Sequence, residues 1–432
     1  MKTFCIAAIA SNQGKTILTT ALLHRFHDSV RPYKVGPDFI DPQFHAYVCD
    51  TPSVNLDTYM MTEEQVAWIF ERYADRDVGI IEGVMGYYDG EDRGCSTYSV
   101  SKLLGVPTVL VLDGSGSYIT LSAVLKGMLT YRNDHTIAAV VLNNLSSPSH
   151  YELIRKQIEH DHPNLMVLGW IPKNLPALQN THLGLDLNDK TTLDTLTEQV
   201  LTHIDLPKLN ALSSDTKRTT YHGIRNTVYP FPPAPQIDRT LAIVHDANFS
   251  FLYHDNAVFL EEVFREIVRV DATANEPIPE ECDGVYLPGG YVETEEAYAR
   301  IRNAHRFRDS LIAHARSKPI YGECAGLLYL GRRVDDKPMS GILDAEFVLE
   351  DRFVRLGYYA NEAGVRGHAF HYTRPTEATR LRGNDPLSKR PGVRAEVGSW
   401  RQGRVWGTYL HTFLRANPQL LNLFRGTLKE FS

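Results

Sequence analysis

The sequence predicts two successive α/β domains, the first carrying a phosphate-binding loop on a parallel sheet and the second a cysteine at a strand-to-helix turn. Three observations carry this. Short apolar runs alternate with helix-period segments from the N-terminus onward. The first run leads into Ala8-Ile-Ala-Ser-Asn-Gln-Gly-Lys-Thr16, and a later one leads into Gly322-Glu-Cys-Ala-Gly326. Continuous apolar strands separated by helices imply a parallel sheet covered on both faces, with ligands gathered at the carboxyl ends of its strands.

Taken in order, Phe4 to Ile9 reads as a buried strand, and Ile17, Leu18, Ala21, Leu22 and Phe26 recur at helical spacing behind it. Val78-Gly-Ile-Ile-Glu82, Val106 to Asp113 and Ile137 to Asn143 are further strands. From residue 206 to 238 the pattern dissolves into polar residues and then Tyr229-Pro-Phe-Pro-Pro-Ala-Pro235, which reads as a proline-stiffened linker. The first domain is therefore expected over 1–205 and the second over 239–432. In the second, Thr240 to Val244, Gly284 to Leu287 and Pro319 to Tyr321 read as strands, with a helix over about Ala257 to Ile267.

Bulk properties narrow the class. At 432 residues the chain exceeds what one hydrophobic core supports, and 43% hydrophobic with 22% charged residues is an ordinary globular composition. A net charge of -7 without a concentrated basic patch argues against a nucleic-acid partner. The five cysteines, with no Cys-x-x-Cys pair, indicate neither a disulfide framework nor a zinc knuckle. The opening Met1-Lys-Thr-Phe-Cys-Ile-Ala-Ala-Ile-Ala10 imitates a signal peptide, but it runs straight into the phosphate loop and a first strand explains it better. No stretch is long enough to cross a bilayer, so no membrane partner is expected and the cytoplasm is the expected compartment.

Ser11, Gly14, Lys15 and Thr16 sit where a strand ends and a helix begins. There, exposed backbone N–H groups favour phosphate, Lys15 meets the outer phosphates of ATP, and the Thr16 hydroxyl is a ligand for Mg²⁺. A strict version of the pattern has glycine at position 9, where this chain has Ile9, and a plain turn opening a helix is the alternative. Asn12 softens that objection because asparagine tolerates left-handed backbone. Glu82 ends a buried strand, where a carboxylate supporting Mg²⁺ is expected and where a merely solvated acid is also common. Asp38 and Asp41 share a glycine- and proline-containing loop; they either build a turn, or present oxygen ligands to Mg²⁺ or orient the activation of a substrate carboxylate. Cys324 lies between Gly322 and Gly326, which let the chain turn sharply. The helix N-terminus is expected to lower its thiol pKa and make it a nucleophile, against the alternative of a buried structural cysteine. Leu287-Pro-Gly289-Gly290-Tyr-Val-Glu293 is a second glycine turn, either a plain turn or one that, with Ala325, offers backbone N–H groups to an oxyanion. His368 and His371 have an odd spacing that puts them on opposite faces of a strand, which excludes one shared metal.

Lys34-Val-Gly-Pro-Asp38-Phe-Ile-Asp41-Pro-Gln-Phe-His45, Asn55-Leu-Asp57-Thr-Tyr-Met60, Glu82-Gly-Val-Met-Gly-Tyr-Tyr-Asp89-Gly90 and His182-Leu-Gly-Leu185 together resemble the cobyrinate a,c-diamide synthases. The likeness runs through nearly the whole chain. It implies a dethiobiotin synthetase-like P-loop domain followed by a class I glutamine amidotransferase-like domain. It also implies an ATP- and Mg²⁺-dependent ligase of cobalamin biosynthesis that phosphorylates the c and then the a side-chain carboxylate of a tetrapyrrole and passes it ammonia from glutamine. Carried onto matching positions, Lys15 and Thr16 serve ATP and magnesium; Asp38, Asp41, Glu82 and Asp89 form the acidic synthetase site; Cys324 is the nucleophile and His411 its base; and the Gly289-Gly290 turn faces the cysteine. Phe39 stands where the family usually has tyrosine, and Asn12 where its loop prefers glycine. Phe413 occupies the position, two beyond the base, where many class I glutaminases carry a glutamate, so a Cys–His dyad with His411 oriented by another acceptor is expected. The family's Gly-His-x-Phe-His-Tyr element matches Gly367 to Tyr372. Rival readings are the related enzyme acting on nickel-sirohydrochlorin, a non-enzymatic nucleotide switch, and a thiol hydrolase with a regulatory front domain. The oligomeric state is open, a homodimer included.

Overall fold

Lys2–Ala8 (β1) is buried from Thr3 onward, and a run with no exposed face belongs inside a sheet covered on both sides. In the computed structural model, which describes residues 1–175, 190–214, 228–389 and 396–425, it is the fourth strand of seven. The chain divides into two units, Met1–Pro230 and Phe231–Ser432.

In the first unit the strands are β1, β2 (Val30–Val35), β3 (Val54–Leu56), β4 (Val78–Glu82), β5 (Thr108–Asp113), β6 (Ile137–Leu145) and β7 (Met166–Pro172), in the spatial order β3-β2-β4-β1-β5-β6-β7 and all parallel. Helices α1 (Lys15–Arg25), α2 (Ile40–Cys49), α3 (Glu63–Arg72), α4 (Thr97–Leu103), α5 (Ile119–Tyr131), α6 (Pro148–Asp161), α7 (Lys190–Leu201) and α8 (Leu206–Ser214) complete it. Two apolar clusters lie on opposite faces of the sheet. One gathers Phe4, Ile6, Leu22, Val141 and Leu168 with Leu196 and Leu209; the other gathers Leu110, Leu112 and Leu142 with Leu125 and Ile154. Strand residues one apart fall into different clusters, as the two-residue period of a strand requires.

Leu209 and Leu212 bring the segment expected to open the linker into the first core: residues 206–214 are helix α8. Polar residues along the segment hid two leucines three apart, which is helical spacing. The unit boundary falls between Pro230 and Phe231, within the proline-rich stretch. Residues 215–227 of the expected linker, and the His182 to Leu185 element, lie outside the described residues.

The second unit contains β8 (Ile237–Val244), α9 (His254–Val263), β9 (Phe264–Val270), β10 (Gly284–Leu287), α10 (Glu295–Ile301), α11 (His305–Ala315), β11 (Ile320–Glu323), α12 (Ala325–Leu330), β12 (Arg333–Val334), β13 (Lys337–Pro338), β14 (Glu346–Leu349), β15 (Arg355–Asn361), β16 (Arg366–His371), β17 (Thr373–Pro375), β18 (Asp385–Ser388), β19 (Glu396–Gln402) and β20 (Val405–Thr408). Nine of the strands form one sheet, β16-β15-β18-β19-β20-β11-β10-β8-β9; it is parallel from β9 to β20 and antiparallel beyond. The expected helix over 257–267 overruns: it stops at Val263, and 264–270 is a strand paired in parallel with β8. Phe259, Val263 and Ile267 keep helical spacing across that junction, so periodicity alone carries the helix too far.

Candidate active site

In the first unit the loop from β1 to α1 closes with Asn12 at φ 62° and Gly14 at φ 97°. A β-carbon on Gly14 would lie 2.2 Å from Asn143 Nδ2, so glycine is required there both by backbone and by space. The loop is moored to the strand ends beside it: Asn143 Nδ2 donates to Gln13 O at 2.9 Å, and the Asp113 N–H donates to Gln13 Oε1 at 3.1 Å. Lys15 Nζ donates to Met85 O at 2.6 Å and Ala10 O at 3.2 Å. Burial, aided by the charge of Lys34, holds its ammonium below the usual lysine range. Ser11 is exposed at the loop's outer edge.

Thr16 Oγ1 donates to Glu82 Oε1 at 2.7 Å, and the other oxygen of Glu82 meets His45 Nε2 at 2.6 Å. His45 is fixed in turn by Ser53 Oγ at 3.1 Å. Lys34, at the end of β2, lies among three carboxylates: Asp41 at 2.5 Å, Asp38 at 3.6 Å and Glu82 at 3.8 Å. Burial alone would lower the Lys34 ammonium, but the charges of Glu82, Asp41 and Asp38 carry it above its ordinary value. Burial likewise raises the carboxyl of Asp41, yet Lys34 and His45 win and hold it at about 2. Asp38 goes the other way, raised first by burial, with the charge of Asp41 adding to it. Its Oδ1 accepts from the Ile40 N–H at 2.8 Å and the Asp41 N–H at 3.3 Å, so it also starts α2. Asn55 Nδ2 braces the loop from behind through Gly36 O at 3.0 Å and Asp38 O at 2.8 Å.

The structure thus gathers Lys15, Thr16, Asp38, Asp41 and Glu82. Asp89 stands slightly apart, accepting from the Gly86 N–H at 2.7 Å and acting on Lys15 only through its charge. Lys34 and His45, which join these groups, had no role assigned from sequence. Among the described residues no cluster of three or more His, Cys, Asp or Glu side chains could itself hold a metal ion. The Thr16 hydroxyl beside one or two carboxylates is nevertheless the hard-oxygen set that Mg²⁺ uses when phosphate oxygens complete its shell. These residues therefore fit the ion.

In the second unit β11 ends at Glu323, Cys324 turns the chain with φ 45° and ψ −100°, and α12 begins at Ala325. A side chain at Gly326 would come within 2.3 Å of Leu287 O, so glycine allows the close approach of this turn to the end of β10. The Cys324 N–H donates to Thr408 O at 2.8 Å, and the Gly326 N–H to Pro288 O at 3.2 Å. The thiol of Cys324 meets the backbone N–H groups of Gly290 and Ala325, two of the three residues expected to face an oxyanion. Gly289 is taken up differently, since a β-carbon there would lie 2.2 Å from His411 Cε1. It holds the histidine ring closely.

One expectation is corrected. Burial, with the nearby charge of Glu293, pushes the Cys324 thiol well above its ordinary value; the two backbone N–H groups oppose this and lose. The short helix does not by itself produce a thiolate, so a base is needed. His411 lies just past β20, on a segment clamped by α9: Asn256 Nδ2 donates to Thr412 O and Asn256 Oδ1 accepts from the Leu414 N–H, both at 2.8 Å. Below it, Arg415 is buried against Asp255 at 2.9 Å and Glu262 at 2.6 Å. Phe413 stacks on Tyr253 at 4.4 Å between centroids, filling the place of the missing glutamate. Glu323 Oε2 lies 3.5 Å from His411 Nδ1, and both side chains are 2% exposed. The sequence offered no signal for this beyond the adjacency of Glu323 to the cysteine. His368 exchanges two 2.8 Å backbone hydrogen bonds with His411, while His371 stacks on Tyr409 at 3.7 Å. The two rings do not converge, in keeping with their odd spacing.

Comparison with known proteins gives a concordant picture. Residues 240–419 match the CobB/CobQ-like glutamine amidotransferase domain, and residues 44–181 match an AAA domain. The chain is 33% identical to the cobyrinate a,c-diamide synthase of Streptococcus sanguinis, each chain covered in full. It is 33% identical to that of Caldanaerobacter subterraneus subsp. tengcongensis over all of this chain and 97% of the relative. With the Salmonella typhimurium protein of the same name the identity is 30%, over 97% of this chain and 96% of the other.

Proposed function

The chain belongs to the cobyrinate a,c-diamide synthase family, and on that premise we propose that it amidates the a and c side-chain carboxylates of cobyrinate, using ATP and the amide nitrogen of glutamine. The observation that carries the reading is the Cys324 turn, with its left-handed backbone and two N–H groups at the sulfur. A nucleotide switch has no use for such a turn.

In the first unit a substrate carboxylate resists ammonia because its leaving group would be oxide. A carboxylate oxygen attacks the γ-phosphorus of ATP, the bond to ADP breaks, and an acyl phosphate forms. Ammonia then attacks the acyl carbon, phosphate departs, and the nitrogen loses a proton. The loop's N–H groups and Lys15 stabilise charge on the transferring phosphoryl group. Thr16, Glu82 and Asp38 would hold Mg²⁺, whose charge when bound offsets that of the phosphate oxygens. Lys34 keeps Asp41, Asp38 and Glu82 from repelling one another and His45 fixes the angle of Glu82.

In the second unit His411 takes the thiol proton of Cys324, and the sulfur attacks the glutamine amide carbon. The oxyanion is received by Gly290 and Ala325 N–H groups. Collapse breaks the C–N bond as His411 returns the proton to the leaving nitrogen, releasing ammonia and leaving a thioester that water hydrolyses to glutamate. Ammonia must reach the acyl phosphate unprotonated, which favours a dry route.

Among the described residues no helix is long and apolar enough to cross a membrane. All five cysteines are buried as thiols; we infer a cytoplasmic enzyme. Nickel-sirohydrochlorin differs only in the macrocycle, and the names of the relatives favour the corrin. Cys324→Ala is expected to lower glutamine-dependent amidation by at least about 10³-fold while ammonium salts still support it. Full glutamine use by that variant, or loss of both activities in a folded protein, would overturn the reading.

A further inference from the structure

We propose that Glu323 is the positioning residue for His411, replacing from the strand before the nucleophile the acid that this chain lacks two residues after the base. The inference rests on the glutaminase reading of the second unit. Its geometric basis is the 3.5 Å approach of Glu323 Oε2 to His411 Nδ1.

Position 413 cannot serve. Phe413 is 2% exposed and stacked on Tyr253, so no carboxylate reaches the ring from there. A buried carboxylate needs partners for both oxygens. Tyr321 donates its hydroxyl to Glu323 Oε1 at 3.2 Å, which leaves Oε2 turned toward the imidazole as the oxygen still to be satisfied. Strand pairing puts it there, because β11 and β20 run parallel with Glu323 opposite Thr408, three residues before His411.

The neighbouring imidazoles add no positive charge that would draw the carboxylate away from His411. His368 is pulled down to about 3, by burial first and the charge of His411 second. His371 is also held well below its ordinary value by burial, with Arg355 adding to it. Both are neutral at working pH. An acceptor on Nδ1 fixes the tautomer that leaves Nε2 free to take the thiol proton, and it stabilises the imidazolium that results. The need is acute here, since burial keeps Cys324 a thiol. At 3.5 Å the contact is loose for a hydrogen bond, and catalytic contacts of this type tighten when substrate fills the site.

Glu323→Gln tests it in the full-length protein. Glutamine keeps the volume and can still accept from Tyr321, so a purely structural Glu323 predicts unchanged kinetics. The positioning role predicts that kcat for glutamate release falls about 10- to 100-fold with KM for glutamine within about threefold, and that ammonia-supported amidation is unaltered. Inactivation by a diazoketone analogue of glutamine, which alkylates the thiol and can be followed for hours, supplies a second measure. Glu323→Gln is expected to slow it at least about tenfold when His411 is present and less than about twofold in the His411→Ala background. Equal slowing in both backgrounds, or a kcat within about twofold of the parent, overturns the assignment. A parent enzyme that releases no glutamate would sink the glutaminase reading itself, which separates the two failures.

Discussion

Gly290 has φ 144°, and a methyl group there would lie 1.9 Å from Asn248 O. Gly290→Ala is therefore expected to destabilise the second unit by ~3 kcal/mol, from strain and clash together. It should also displace the N–H that faces Cys324. Denaturant unfolding and glutaminase assays check both, and parent-like values in the two would remove Gly290 from the oxyanion site. Turn chemistry of this kind is local, which is why Gly14, Asn12, Gly290 and the cysteine turn were legible from sequence. Lys34, His45 and Glu323 were not. Each is a buried charged or titratable group with a partner distant in the chain: Glu82 for Lys34 and His45, and His411 for Glu323. The thiol of Cys324 was misjudged for the same reason, because burial is a property of the fold.

At the scale of elements, β2 and α2 bring Lys34 against Asp38, Asp41 and Glu82. Pro32 and the polar residues of Val-Arg-Pro-Tyr-Lys-Val made β2 a poor strand by pattern, so the element carrying the central cation went unseen while the loop of acids after it was recognised. Lys34→Met leaves those carboxylates without their cation and is expected to cost ~4 kcal/mol. The pH dependence has a definite sign. Asp41 is held at about 2 in the folded chain, so its contribution is present above the unfolded value of ~3.9 and lost as pH falls toward the folded one. Lys34→Met should flatten that acid limb of the stability curve, and an unchanged slope would show that Lys34 is not the partner that matters. Glu82→Gln and Asp38→Asn are expected to depress amidation while sparing glutamate release. Normal amidation in both variants would take the two acids out of the site.

Among the described residues each unit builds its own core, one spread over both faces of the seven-stranded sheet and one over both faces of the nine-stranded sheet. Alternating apolar runs and helices made that plan legible; the exact limits were not, since α8 is held by only a few leucines and β9 continues a helical spacing. In the proposed function each core supports one half of the chemistry: activation of a carboxylate on one, release of nitrogen on the other. The most direct test follows the carboxylate oxygen. Cobyrinate labelled with ¹⁸O in its side-chain carboxyl groups, incubated with the protein, ATP, Mg²⁺ and glutamine, is expected to give inorganic phosphate bearing one heavy oxygen for each amide formed, read by mass spectrometry. Amide formation with unlabelled phosphate would contradict an acyl phosphate and with it the account of the first unit.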